Sequence, residues 1–279
     1  KFFHLCLFVL ILFLMDLKNQ DFLKKNSKNK KLFFIIGYPR SGNTLFTSIL
    51  NQNPIIGCTG NSITLEMMAK LYVLKQEELF KNFPDHQSYD NVLHSIFDLY
   101  YSDWTQQIIV DRGPVTTKGN IEMMKKCFGL NFKCIVLLRD LKDVLASYIK
   151  WFTNEPTAFV NKKGKTLEEK LNYLMKPGGA IYRQHLAIQN SYNYKDMCYY
   201  IKYDDLVQNT KQTFINLYKF LNTPWYEHDL KNIKQFKVNN ISYDDSVVGK
   251  NMHKIKQEIK KESNNYINQI PKNIIEKYA

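Results

Sequence analysis

One stretch, Leu32 to Leu50, constrains the fold of this chain more than any other part of the sequence. It reads LFFIIGYPRSGNTLFTSIL. Its first five residues are apolar and predict a short buried strand. Two glycines and a proline within 37–42 predict a tight loop, and helical spacing of apolar residues resumes at Thr44. A strand, a glycine loop and a helix in this order direct backbone N–H groups and a helix N-terminus at a phosphate.

The loop has the glycine spacing of a nucleotide-binding P-loop without its lysine. Gly37 and Gly42, with four residues between them, bound the loop, and Asn43 and Thr44 follow where an NTPase carries Lys-[Ser/Thr]. Phosphoryl transfer uses that lysine together with magnesium, whereas the cation of this loop is Arg40. We therefore expect phosphate binding through N–H groups and hydroxyls, and a poor fit to ATP chemistry. An ordinary turn between strand and helix is the alternative interpretation.

Strand and helix patterns alternate along the rest of the chain. Further strands are predicted at 108–110, 133–138 and 198–202. Helices are predicted at 62–80, from 89, at 120–128, 143–152, 167–190 with a break at 177–179, 206–221, 224–236 and from 271, with loops at 51–61 and 238–253. This alternation predicts an α/β fold, a three-layer α/β/α arrangement with a central parallel sheet like that of P-loop NTPases. Residues 32–279 are predicted to form a single domain, whose ligands lie beyond the carboxyl ends of the strands.

Residues 1–31 form an apolar and then lysine-rich N-terminal segment that we separate from this domain. Residues 2–14 are almost uninterruptedly apolar but too few to span a bilayer. They are interpreted as a truncated anchor or a non-native extension, so membrane association through them stays open. Lysines after the segment would keep the domain on the cytoplasmic side. Five widely spaced cysteines without metal-ligand spacing indicate reduced thiols, an intracellular, cytoplasmic setting and no metal.

The net charge of +13 favours anionic partners. The lysines are interspersed with Asn and Glu, and the basic segments lack clustered aromatic residues. These features argue against a nucleic-acid-binding module.

Three motifs, in this order, resemble the PAPS-dependent sulfotransferase superfamily, in which PAPS is 3′-phosphoadenosine 5′-phosphosulfate. The sequence YPRSGNTL at 38–45 resembles the loop that binds the 5′-phosphosulfate. Arg139 and Ser147, eight residues apart, match the 3′-phosphate motif. The sequence YDDL at 203–206 is similar to the segment whose tyrosine approaches the adenine. The resemblance extends from about Leu32 to at least Phe236, and it is closer to bacterial and Golgi-type members than to cytosolic aryl sulfotransferases.

The resemblance implies in-line transfer of a sulfuryl group from PAPS to an acceptor hydroxyl, or to an amine, without a metal. It places Arg40 at the sulfuryl and 5′-phosphate oxygens, with Lys250 and Lys254 in a late loop that closes over PAPS. The remaining donor-binding positions that it implies are Ser41, Gly42, Asn43, Thr44 and Leu45 at the 5′-phosphate, Arg139 and Ser147 at the 3′-phosphate, and Tyr203 at the adenine.

The catalytic base is where this sequence departs from the family. The Lys-x-His-x-Pro signature of cytosolic members is absent, and so is the glutamate of tyrosylprotein-type enzymes. Asp111 and Arg112, at the mouth of a central strand, are the preferred candidates. Arg112 would stabilise the transferring sulfuryl group, and Asp111 would accept the proton or orient Arg112. Glu66 is the second candidate base.

The acceptor itself stays open between a glycan, a lipid, a protein and a small molecule. Its pocket is expected to be lined by 61–83, 153–164 and 167–190. Two other functions also stay open. One is a P-loop nucleotide kinase, and the other is a non-catalytic protein that binds a nucleotide or polyanion.

Overall fold

A computed structural model describes residues 30–129, 132–255, 258–260 and 265–278 of the chain. The predicted N-terminal segment, with its apolar residues 2–14, therefore lies outside the described residues except at its last two positions. No helix within the described ranges is long and apolar enough to cross a membrane.

The centre of the molecule is a parallel sheet of five strands. They are β1 (Lys31–Gly37), β2 (Ile56–Cys58), β3 (Ile108–Arg112), β4 (Lys133–Leu138) and β5 (Cys198–Lys202). Their order is β2-β3-β1-β4-β5, and every neighbouring pair is parallel. The central position of β1 agrees with its sequence, because a strand buried on both faces needs a continuous apolar run.

Eleven α-helices of the described residues surround the sheet. They are α1 (Asn43–Leu50), α2 (Thr64–Leu74), α3 (Glu78–Asn82), α4 (His86–Tyr100), α5 (Lys118–Phe128), α6 (Leu141–Asn154), α7 (Leu167–Met175), α8 (Ala180–Ser191), α9 (Tyr203–Gln208), α10 (Thr210–Leu221) and α11 (Lys272–Tyr278). Short 3-10 turns lie at Phe159–Lys162, Tyr192–Met197, Asp245–Val247 and Ile267–Gln269.

The core consists of two apolar layers, one on each face of the sheet. Phe34 and Ile36 of β1 belong to the layer that α2 and α4–α8 cover. Phe33 and Ile35 belong to the opposite layer, with α1, α9 and α10. Alternate side chains of a strand point to opposite faces, so β1 anchors both layers. The predicted three-layer α/β fold with a central parallel sheet is confirmed.

Three local predictions were wrong. The segment 224–236 is not helical, because its aromatic rings pack singly against α10 instead of forming a helical stripe: Trp225 lies 5.3 Å from Tyr218, ring centre to ring centre. The predicted loop 51–61 contains β2, which pairs with β3. The predicted helix 62–80 is divided into α2 and α3 by a turn.

His228 belongs to the segment that follows α10, and its imidazole lies in a cage of aromatic side chains. Its ring centre lies 5.2 to 5.6 Å from those of four aromatic residues, Phe214, Tyr218, Trp225 and Tyr226. Burial in this cage lowers the pKa of His228 to about 4, from 6.5. The folded protein therefore holds the neutral imidazole at pH values where the unfolded chain binds a proton.

We expect the free energy of unfolding to fall as the pH is lowered from about 6.5 to 4, because only the unfolded state takes up the proton in that range. His228→Gln, which cannot titrate, should show a smaller decrease in urea denaturation across the same range. His86→Gln, at an exposed position, serves as the control and should follow the wild type. Identical pH dependence in wild type and His228→Gln would contradict this account of the cage.

Candidate active site

A cavity of about 780 Å³ opens at the carboxyl edge of the sheet. Residues at the ends of four strands line it: Arg40 in the loop after β1, Arg112 at the end of β3, Arg139 just after β4 and Tyr203 just after β5. Loops at this edge of a parallel sheet are the usual ligand site. The strands therefore collect residues from distant parts of the sequence around one space.

The loop between β1 and α1 is held by its own side chains. The hydroxyl of Ser41 and the amide of Asn43 each donate to the carbonyl oxygen of Tyr38, both at 2.7 Å. Ser41 is fully buried and does not line the cavity. The structure thus gives the Ser41 side chain a place inside the loop, where it shapes the turn, and not the predicted contact with a phosphate.

The N-terminus of α1 faces the cavity with its N–H groups. The helix begins at Asn43 without a side-chain cap, and the first N–H groups of a helix have no acceptor within it. Gly42, Asn43, Thr44 and Leu45 line the cavity here. This end of the helix can therefore bind an anion through N–H groups and the favourable helix dipole.

The turn into α1 requires glycine at position 42, because the φ angle there is +87° and there is little space for a Cβ atom. A Cβ atom there would lie 2.9 Å from Leu206 Cδ2 and 3.2 Å from Tyr203 Cδ2. We expect Gly42→Ala to lower the free energy of unfolding by about 1–3 kcal/mol through backbone strain and this contact. Gly119→Ala is the matched control, since a Cβ atom meets nothing within 4 Å there. In urea denaturation the control should be as stable as the wild type or more stable, and equal stabilities of the two variants would contradict the prediction.

Arg40 joins the loop to two other parts of the cavity. Its Nε donates to Ser147 Oγ of α6 at 3.1 Å, and its Nη1 donates to the carbonyl oxygen of Met252 at 2.5 Å. The backbone of Arg40 has a φ angle of +71°, an uncommon conformation for a residue with a side chain. Arg40 and Ser147, which were assigned to different phosphates of the donor, therefore contact each other directly.

Arg139 is stacked on Tyr203, and both residues line the cavity. Its guanidinium carbon stands 4.0 Å from the centre of the Tyr203 ring, and Nη1 donates to the carbonyl oxygen of Arg40. Nε of Arg139 is buried and has no hydrogen-bond partner among the described residues. The guanidinium is held in place by the stacking contact and keeps a donor for a ligand.

The cavity is strongly basic. Seven arginine and lysine residues line it and only two glutamates, Glu155 and Glu258. The basic residues are Arg40, Arg112, Arg139, Lys150, Lys250, Lys254 and Lys260. The predicted late lysines, Lys250 and Lys254, are thus on its wall. Such a distribution suits a ligand with several negative charges.

Arg112 stands between this cavity and a smaller one of about 330 Å³, and it lines both. Its Nη1 donates to Asn61 Oδ1 at 2.5 Å and to the carbonyl oxygen of Gly60 at 3.1 Å. Its Nε is buried without a hydrogen-bond partner in the part of the chain that is described. The side chain of Arg112 therefore has a fixed position at the junction of the two cavities. The sequence predicts that Arg112 contacts the transferring sulfuryl group.

Asp111, the preferred base, points away from the junction. Its side chain is fully buried and lines neither cavity. One carboxylate oxygen accepts hydrogen bonds from Thr64 Oγ1, from the Tyr101 hydroxyl at 2.7 Å and from Ser62 Oγ at 3.1 Å. Burial raises the pKa of Asp111, against the effect of these three donors. Neighbouring side chains of a strand point to opposite faces, so Asp111 fastens the start of α2 to β3 and does not orient Arg112.

Glu66, the second candidate base, lies on the wall of the smaller cavity. Its carboxylate forms an ion pair with Arg183 of α8 at 2.8 Å, and both side chains are about half exposed. The hydrogen bond from Arg183 lowers the pKa of Glu66. A carboxylate held in this way is a weaker proton acceptor than a free one.

The smaller cavity adjoins the larger one and shares four lining residues with it: Pro39, Arg112, Met252 and His253. Part of its remaining wall comes from 61–66, the 3-10 turn at Phe159–Lys162 and α8, which lie in the three segments expected around the acceptor. Gly113, Pro114, Tyr148 and Val248 form the rest and lie outside those segments. Leu65, Tyr148 and Phe159 make part of its surface apolar.

His253 also lies at the junction, although no sequence motif indicated it. Its Nδ1 lies 2.5 Å from Asp245 Oδ1, and its backbone N–H donates to Asp245 Oδ2 at 3.0 Å. The imidazole ring is stacked on Tyr243 with centroids 3.7 Å apart. Nothing local in the sequence marks this arrangement, because an Asp-x7-His spacing inside an irregular segment has no regular geometry.

One family of known proteins is identified by a match to its family model. The model of the sulfotransferase family matches residues 33–227. Three solved structures are similar to this chain. A sulfotransferase domain from the curacin biosynthetic pathway is 18% identical over 72% of this chain and 77% of its own, with a TM-score of 0.46. The sulfotransferase domain of the Synechococcus PCC 7002 olefin synthase is 16% identical over 79% and 83%, with a TM-score of 0.48. Mouse sulfotransferase SULT7A1 complexed with PAP is 14% identical over 74% and 64%, with a TM-score of 0.46. A search of curated proteins gave no match.

Proposed function

Because the chain belongs to the sulfotransferase family, it transfers a sulfuryl group, and we propose that PAPS is the donor and a hydroxyl group the acceptor. The observation that carries the proposal is the uncapped N-terminus of α1, which faces a basic cavity together with Arg40 and Arg139. Both phosphates of the donor would find N–H or guanidinium donors there, since each is an anion.

The buried donors of the cavity fit such a ligand. Arg139 Nε and Arg112 Nε are enclosed without hydrogen-bond partners among the described residues, and buried polar groups are normally paired. Arg139 and Ser147 would bind the 3′-phosphate, and the first turn of α1 would bind the 5′-phosphate. Tyr203 has one face covered by Arg139, so an adenine ring would contact the remaining edge or face.

The residues at the junction suit the chemistry of the transfer. Negative charge develops on the 5′-phosphate oxygen as the bond to sulfur breaks, and the α1 N–H groups and Arg40 would stabilise it. Arg112 would stabilise the oxygen atoms of the sulfuryl group from the other side of the junction. The acceptor would enter through the smaller cavity, so that donor and acceptor approach one another across Arg112.

The two rival functions gain no support from the family. A nucleotide kinase uses the P-loop lysine together with magnesium, and this loop carries Asn43 and Thr44 where an NTPase has Lys-[Ser/Thr]. A non-catalytic binder would have no use for the second cavity that adjoins the first.

Label transfer from ³⁵S-PAPS tests the proposal. The full chain would be incubated with the labelled donor and EDTA, and with four acceptor probes: a phenol, a tyrosine peptide, a hydroxysteroid and a glycosaminoglycan oligosaccharide. We expect one probe class to take up the label, with an equal amount of PAP released. The same chain with γ-³²P-ATP and magnesium should label none of them, and labelling from ATP alone would favour the kinase.

A further inference from the structure

The segment that follows the family match carries a histidine–carboxylate pair at the junction of the two cavities. The match ends at residue 227, and Asp245 and His253 lie beyond it. We propose that His253 is the general base of the transfer and that Asp245 is its positioning residue. This proposal rests on the proposed function and names the group that accepts the proton of the acceptor hydroxyl.

His253 is placed where a base is needed. It lines both the donor cavity and the smaller cavity, together with Arg112. A hydroxyl group that enters from the smaller cavity therefore meets the imidazole at the point where it meets the donor. Asp111 and Glu66, the carboxylates that the sequence favoured, line one cavity or neither.

The contacts of His253 determine which nitrogen faces the reaction. Asp245 accepts a hydrogen bond from Nδ1 and a second one from the backbone N–H of the same residue. The proton of the neutral imidazole then lies on Nδ1, which leaves the lone pair on Nε2. Nε2 has no hydrogen-bond partner among the described residues, and a histidine oriented by a carboxylate in this way is a proton acceptor.

The electrostatic surroundings keep the imidazole neutral. Burial lowers the pKa of His253, and the positive charges of Arg112 and Arg40 act in the same direction, while Asp245 opposes them. Tyr243 covers one face of the ring. A base must be unprotonated at the working pH, and the lowered pKa favours the unprotonated imidazole.

The backbone around His253 is fastened to the rest of the site. Arg40 donates to the carbonyl oxygen of Met252, and Trp151 Nε1 donates to that of Lys250 at 3.2 Å. The N–H of Phe159 donates to the carbonyl oxygen of Val248 at 2.9 Å. These bonds join the segment to the loop between β1 and α1, to α6 and to a wall of the smaller cavity. The position of His253 is therefore fixed relative to both cavities.

The proposed step is balanced. The acceptor O–H bond breaks and its proton moves to Nε2 of His253. The acceptor oxygen forms a bond to sulfur as the bond between sulfur and the 5′-phosphate oxygen breaks. PAP leaves with that electron pair, and the imidazolium, stabilised by Asp245, returns its proton to water.

Transfer from PAPS to two phenols provides the test. Phenol, with a pKa of about 10 like tyrosine, needs a base, whereas 4-nitrophenol is already largely ionised at pH 8. His253→Gln should lower kcat with phenol by about 100- to 10,000-fold and with 4-nitrophenol far less, with an unchanged Kd for PAP. Imidazole in solution should partly restore His253→Ala. Equal losses with both phenols, or full activity of the variants, would overturn the proposal.

The positioning residue has its own readout. Asp245→Asn removes the charge that opposes the arginines, so the acidic limb of the pH profile of kcat should move to lower pH while kcat falls. Asp244→Asn is the matched control, because the carboxylate of Asp244 is exposed and caps Ser246 instead. An unshifted acidic limb in Asp245→Asn would contradict the assignment.

A second measurement decides the matter if wild type labels neither phenol. The ¹⁵N chemical shifts of the His253 ring in the full chain at pH 7.5 report where its proton lies, with His253→Gln used to assign the signal. The proposal requires a proton on Nδ1 and none on Nε2. A proton on Nε2 would overturn it, and neither result depends on whether the proposed PAPS donor binds.

Discussion

Replacing Arg139 with alanine should weaken PAP binding by about 10- to 150-fold, as expected for the loss of 1.5–3 kcal/mol from a hydrogen bond to a charged group. The guanidinium lies at the end of β4 and on the ring of Tyr203, with a buried Nε that the protein itself leaves without a partner. It would bind the 3′-phosphate with a preformed geometry, so its removal costs affinity without any compensating gain in freedom.

Isothermal titration of PAP and of AMP into wild type and Arg139→Ala measures this effect. The variant should lose most of the preference for PAP over AMP, because AMP has no 3′-phosphate. Arg183→Ala is the matched control, since Arg183 pairs with Glu66 at the smaller cavity and does not line the larger one. Equal affinities of wild type and Arg139→Ala for PAP would contradict the donor site drawn here.

Replacing Asp111 with alanine should lower the free energy of unfolding by about 3 kcal/mol, because three hydroxyl groups lose their common acceptor, those of buried Thr64 and Tyr101 and that of half-buried Ser62. For a domain of this size the melting temperature should fall by roughly 6–12 °C. Asp103→Ala, at an exposed position, should stay within about 0.5 kcal/mol of the wild type. Denaturant and thermal unfolding would measure both variants.

Asp111→Asn separates this structural role from a catalytic one. The amide keeps one oxygen for the three hydroxyl donors, so the variant should fold with a smaller loss of stability than Asp111→Ala. Sulfuryl transfer by the folded variant should remain within a few-fold of wild type. A loss of 100-fold or more, as expected for a missing general base, would restore the carboxylate to the role that the sequence gave it.

The contrast between Asp111 and Arg139 shows how far the sequence could predict this site. The loop after β1 and Arg139 follow predicted strands, and Ser147 lies on the next helix, so their place beyond the carboxyl ends of a parallel sheet could be predicted from the alternation of strands and helices. Asp111 also ends a strand, but strand alternation turns its side chain to the face of Ile109 and the start of α2. The sequence did not show which face that would be.

His253 could not be predicted for a different reason. The segment from Asp245 to His253 contains a single 3-10 turn. Its path is determined by hydrogen bonds from Arg40, Trp151 and Phe159 to its backbone carbonyl groups, and these three residues are distant from it in sequence. Periodicity carries no information about such contacts. The same limit applies to the segment 224–236, whose aromatic residues pack one by one against α10.

Calorimetric titration of PAP in EDTA beside ATP with magnesium shows whether the basic cavity is a magnesium-independent site for the donor. We expect a saturable PAP isotherm in EDTA and much weaker binding of ATP with magnesium. Tighter binding of ATP with magnesium, or no binding of PAP, would contradict it.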